Sequence, residues 1–196
     1  MNRLNALLVV LCLLLTACGS VPPAPVDSFY RLQPSPVAAV AKSLSGAIAV
    51  APFRADSLYA ERPIIYADEA SLRQLRQYHY HLWLYPPAQM AQGHLLASLG
   101  SVLDLTGVFA DNTAPNTLEG RVLGFERVLA GGSGKTSKAV VALELHLLSG
   151  GKTRLNKTYQ AEQATADDSL DAYTVATEQA LAKIYAAFLI DVASLR

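Results

Sequence analysis

Residues 141–160 read VALELHLLSGGKTRLNKTYQ, and this stretch decides the fold. Val141, Leu143, Leu145 and Leu147 alternate with Ala142, Glu144, His146 and Leu148, the period of a half-buried antiparallel strand. Leu155, Lys157 and Tyr159 share one face of a following strand, with Asn156, Thr158 and Gln160 facing out. The connection Ser149-Gly150-Gly151-Lys152 is polar and glycine-rich, as a hairpin turn requires. Upstream, Leu123, Phe125, Arg127 and Leu129 share a face, with Val122, Gly124 and Glu126 opposite. That third strand reaches the first through GGSGKTSK (131–138), again hairpin-like in composition.

Downstream the period lengthens. Leu170, Tyr173, Thr177, Ala180, Leu181, Ile184, Phe188 and Val192 mark one face of a long helix, which Asp167 or Asp168 can cap. Further upstream lie shorter strand signals: Phe29–Leu32, ended by Pro34; Ala47–Phe53, stopped by Pro52; Arg62–Ala67; and the aromatic run YHYHLWLY at Tyr78–Tyr85. Pro86-Pro87 suits the first turn of a helix. Ala88, Ala91, Leu95, Leu99 and Val102 form its apolar face, widened by Leu96 and Leu103. Gly107 ends it, and Val108-Phe109 begins a short strand. The expected fold is a single α/β domain over 29–196, with a mixed, mainly antiparallel sheet and packed helices. An α+β two-layer sandwich is the alternative, and the strand order stays open.

The first 28 residues are of another kind. Asn2 and Arg3 precede an apolar run, Leu4–Leu15, too short for a bilayer-spanning helix of roughly 20 residues. This is the layout of a removable export signal, residues 1–17. Leu15-Thr16-Ala17-Cys18 resembles the lipobox of bacterial lipoproteins. That likeness implies cleavage between Ala17 and Cys18, a diacylglycerol on the Cys18 sulfur and an acylated new amino group. Gly19 is not the aspartate that favours inner-membrane retention in enterobacterial sorting, so the expected location is the periplasmic face of the outer membrane. Residues 18–28, with three prolines, form an extended tether of roughly 30 Å at most.

The 16 basic and 16 acidic residues balance. Losing Arg3 with the leader leaves a mature charge of −1, so nothing points to nucleic acid or to a polybasic membrane patch. Of the two cysteines, Cys12 leaves with the leader and Cys18 carries lipid, so no disulfide is expected. No second apolar run is long enough to span a membrane.

Chemistry has few footholds. GGSGKT at 131–136 superficially matches a phosphate loop, but Leu129 stands where the first glycine belongs. A strand rather than a helix follows, so no helix N-terminus would face a phosphate. His79 and His81 are two apart on a predicted strand, beside Trp83, but a metal site needs a third ligand, and His94 and His146 lie in other elements. No nucleophile elbow or His-Glu metal motif occurs. Neither catalytic residue, cofactor nor metal is expected. Tyr80, Trp83 and Tyr85 are the candidate partner interface, with a core position for Trp83 as the alternative.

Taken in order, the lipobox, Tyr30-x-Leu32, the apolar strand ending at Pro52, Arg62-Pro63-Ile64-Ile65-Tyr66, Tyr80–Trp83 with Pro86-Pro87, Met90, Leu95, Leu99, three strands and an alanine-rich terminal helix resemble the ABC-type transport auxiliary lipoprotein family over residues 18–194. The resemblance implies a fold like the TolB N-terminal domain and a non-enzymatic accessory to an MCE-type system moving lipids between inner and outer membranes. It implies, as partners, an MCE-domain membrane protein with its ABC permease and ATPase, and leaves a homo-oligomer open. An assembly lipoprotein of another envelope machine and a lipid-binding protein remain rival readings.

Overall fold

The computed structural model describes residues 24–35, 37, 46–107, 114–131 and 136–195. The export signal, Cys18, most of the tether, Val108-Phe109 and the centre of the GGSGKT stretch lie outside them. The elements run β1 (Ser28–Tyr30), β2 (Ile48–Val50), β3 (Arg54–Ala55), β4 (Pro63–Asp68), β5 (Arg76–Trp83), α1 (Pro87–Leu99), β6 (Leu105–Gly107), β7 (Asn116–Leu129), β8 (Lys138–Ser149), β9 (Lys152–Ala164) and α2 (Leu170–Ser194).

β7 organises the sheet. One of its edges pairs antiparallel with β8 along nearly its whole length, and β9 adds antiparallel beyond β8. The turn between β8 and β9 uses Gly150 and Gly151, both at positive φ, which glycine adopts without steric cost. The other edge of β7 receives three short parallel strands in succession: β2 opposite Asn116–Leu118, β3 opposite Arg121–Val122 and β4 opposite Glu126–Leu129. β2 carries β6 further out, and β4 carries β5 and then β1. The result is one mixed nine-stranded sheet in a single α/β domain. Its long ladders are antiparallel and its short ones mostly parallel.

Both helices share one apolar core with the sheet. α2 packs on β8 and β9 and meets α1, where the Tyr185 hydroxyl donates to the Ala91 carbonyl at 2.9 Å. On β8, Val141, Leu143, Leu145 and Leu147 are buried, as the alternation predicts. Each such side chain contributes about 1.5–3 kcal/mol on burial. Gly120 lets the Phe53 ring lie against β7; a Cβ there would come within 2.5 Å of the ring.

Three local expectations need correction. In β7 the pairing slips between Val122 and Gly124, a bulge that reverses which side chains face the core. Val122 is therefore buried and Leu123 exposed, whereas Phe125 and Arg127 are buried beyond the bulge. α1 stops at Leu99, with the Gly100 amide bonded to the Leu96 carbonyl. Val102 and Leu103 are still buried, but from a turn held by Leu99, so an apolar stripe outlasts the helix that began it. At α2, Ser169 is the cap: its hydroxyl accepts from the Ala172 amide. Asp167 instead accepts from the Ser169 amide at 2.8 Å.

Candidate functional site

The run YHYHLWLY does not behave as an evenly alternating strand. Pro63 pairs with Leu82 but Ile65 with Gln77, so Ile64 alone of β4 stands against the four residues Tyr78–His81 of β5 and that segment bulges. Trp83 ends up fully buried, 0% exposed. Its ring lies edge-on to Phe125 at 5.5 Å and tilted against Tyr173 at 5.7 Å. Trp83 is a core residue, and its candidacy as part of a partner interface is corrected: β5 is flanked here by β1 and β4, and this side chain packs against Tyr173 of α2. Tyr80 and Tyr85 are 45% and 51% exposed. With the exposed Phe29 and Leu84 they give the β1–β5 side of the sheet an aromatic and apolar surface.

Backbone and cation contacts hold this edge in place. The Leu84 amide donates to the Tyr30 carbonyl at 2.7 Å. The Arg62 side chain donates to the Trp83 carbonyl at 3.1 Å and sets its guanidinium 5.0 Å from the centre of the Phe29 ring, a cation–π contact.

The four histidines stay apart. His81 is half-buried, with Nδ1 3.1 Å from the Tyr30 hydroxyl. His79 is exposed beside Tyr80. His146 contacts Glu119 and Thr153, and His94 is buried on α1. Among the described residues, no group of three or more His, Cys, Asp or Glu side chains is placed to hold a metal ion. The strands on either side of the GGSGKT stretch, β7 and β8, pair directly and antiparallel.

Beside Tyr85 lies a groove of about 560 Å³. Arg31, Leu32 and Pro34 beyond β1, Val50 and Pro52, and Gln89, Gly93 and Leu96 of α1 line it. Leu84 and Tyr85 reach it from the exposed surface. The Gln92 amide donates to the Val50 and Ala51 carbonyls at 3.4 and 3.1 Å. His94 also lines the groove at only 4% exposure, with Nδ1 3.4 Å from the Ser98 hydroxyl and Nε2 without a hydrogen-bond partner. Burial drives its pKa down to about 4, outweighing the Gln33 backbone, which acts in the opposite direction. The imidazole is neutral at pH 7. The one sequence signal for this groove was Gly93, a mid-helix glycine costing about 1 kcal/mol against alanine, where a Cβ would meet nothing within 4 Å.

Two further polar clusters tie elements together. Arg127 is buried, donating to Ser137 at 2.9 Å, to the Tyr78 hydroxyl at 3.0 Å and to the Asp168 carbonyl at 2.7 Å, and it pairs with the Asp168 carboxylate. It joins β7, β5 and the approach to α2. Glu126 accepts from the Tyr59 hydroxyl at 2.8 Å and the Phe125 amide at 2.9 Å. Burial raises its carboxyl pKa, partly countered by those two donors.

No helix among the described residues is long and apolar enough to cross a membrane. Among the solved structures that share the fold are two with TM-scores of 0.69 and 0.67. One is protein XCC0632 from Xanthomonas campestris, described as DUF330, at 18% identity and TM-score 0.69, covering 83% of this chain and 92% of that one. The other is an uncharacterized protein, at 18% identity and TM-score 0.67, covering 85% and 99%. No curated protein matches the chain significantly. The family model for the ABC-type transport auxiliary lipoprotein component matches residues 30–187, most of the folded domain, and the chain belongs to that family.

Proposed function

We propose that this chain is a non-enzymatic docking post of an ABC/MCE-type system that moves lipids between the inner and outer membranes and supports envelope integrity. A lipid on Cys18 holds it to the periplasmic face of the outer membrane. The tether through residue 28 lets the domain reach an MCE-domain protein served by an ABC permease and ATPase. Anchoring raises the local concentration of the domain near such a partner without any new contact.

The observation that carries the reading is the exposure of Tyr80 on β5 and of Tyr85 just beyond its end, together with that of Leu84 and of Phe29 on β1. Exposed aromatics of this kind supply binding energy at interfaces. Family membership supports the transport context, and the lipobox supports the anchor.

A photoreactive benzoylphenylalanine placed at Tyr80 or Tyr85 in growing cells should crosslink to the MCE-domain protein. The same residue at Ile190, exposed on α2, should not. Equal capture from Ile190, or none from either tyrosine, contradicts the docking surface.

A further inference from the structure

We propose that the groove beside Tyr85 holds one acyl chain of a membrane phospholipid, with Arg31 at its mouth facing the phosphate. The inference deepens the transport reading and rests on it for the source of the lipid. The site itself is argued from the groove.

Its volume, about 560 Å³, falls within the range of small-molecule sites. Leu32, Pro34, Val50, Pro52, Leu84 and Leu96 give it an apolar lining. Arg31 is the one charged side chain among the lining residues at neutral pH: no Asp or Glu contributes, and the buried His94 is neutral. Arg31 is exposed, and its guanidinium fork suits a phosphate. A long apolar chain ending in a phosphodiester matches both features.

A bound peptide fits less well, because its backbone would need hydrogen-bond partners along the groove. Gln92 is engaged with Val50 and Ala51, and His94 Nδ1 lies against Ser98. The His94 Nε2 is unpartnered, but a single ring nitrogen cannot serve a peptide backbone along its length. Gly93 supplies the independent observation. Packing does not require a glycine at this point of α1, since a Cβ would meet open space. What its missing side chain preserves is the depth of the groove.

The experiment uses the full chain in cells grown with 32P-orthophosphate, with benzoylphenylalanine at Leu96. Irradiation should yield a 32P-labelled protein band, absent when the photoreactive residue sits at Val175, exposed on α2. Gly93→Trp, which fills the groove from a solvent-facing helical position, and Arg31→Glu should each lower the label at least fivefold. Arg31→Lys should retain most of it. Gly93→Ala should melt no lower than the parent, establishing that the helix tolerates a side chain there.

No label at Leu96, equal label at Val175, an adduct to a protein or within the chain itself, or indifference to Gly93→Trp overturns the inference. The docking reading is tested separately by the Tyr80 and Tyr85 crosslinks. Labelling without those crosslinks leaves the groove assigned and removes the docking surface, and the reverse result does the opposite.

Discussion

Trp83→Ala should destabilise the domain by about 3–5 kcal/mol, the usual cost of emptying a large aromatic site in a core. For a chain of this size that lowers Tm by roughly 10 °C. The side chain is wholly buried between Phe125 and Tyr173, so its loss opens a cavity where sheet and α2 meet. Trp83→Phe should cost less than half as much. The indole Nε1 is buried without a partner, and an unsatisfied donor of this kind costs about 1–3 kcal/mol; phenylalanine removes that penalty while keeping most of the ring. Tyr80→Ala and Tyr85→Ala should stay within about 0.5 kcal/mol of the parent, as exposed substitutions generally do. Urea unfolding at constant m-value checks all four. If Trp83→Ala unfolds at the parental midpoint, the residue is not the core element described above.

Acid should weaken the fold through His94. Its folded pKa, about 4, lies below the ordinary histidine value of roughly 6.5. The unfolded chain therefore binds the proton more readily, and stability rises with pH across that interval. The contribution is complete above about pH 6.5 and is lost as pH falls through the folded pKa near 4. Its full size is roughly 3 kcal/mol.

Glu126 and Glu178, whose pKa values burial raises, act in the opposite sense. Their stabilisation is present at low pH and fades as pH rises through their folded pKa. His94→Phe, which keeps a ring against Tyr185 (5.6 Å between centroids in the parent), isolates the histidine. The stability difference between parent and variant should change by roughly 3 kcal/mol between pH 7 and pH 4. A difference that does not vary with pH refutes this role for His94.

The long hairpins were legible because period-two alternation persists across β8 and the polar glycine-rich connection leaves one economical pairing. α2 was legible for the same reason at helical period, from Tyr173 to Val192. Short parallel strands left weaker traces. Ile48–Val50 falls within the apolar run 47–53 that reads as a strand, but Leu105–Gly107, which reads as the end of a helix, is a strand held by its pairing with β2. The bulge at Val122–Gly124 inverts the side-chain phase partway along β7, so one uniform alternation misplaced Leu123. The slip between β4 and β5 hid the separate fates of His79 and His81. Trp83, Tyr80 and Tyr85 lie within six residues of one another, and only the sheet edge and α2 decide which is buried. The groove arises where Arg31–Pro34 passes α1, a contact between distant segments that local periodicity does not encode.

The account rests on a domain that works from an anchored position. Cys18→Ala tests that most directly, with envelope permeability to a large antibiotic measured while immunoblotting verifies that the unanchored chain accumulates in the periplasm at the parental level. The predicted result is permeability matching that of a strain lacking the protein. Parental permeability with the chain free in the periplasm would contradict the docking post.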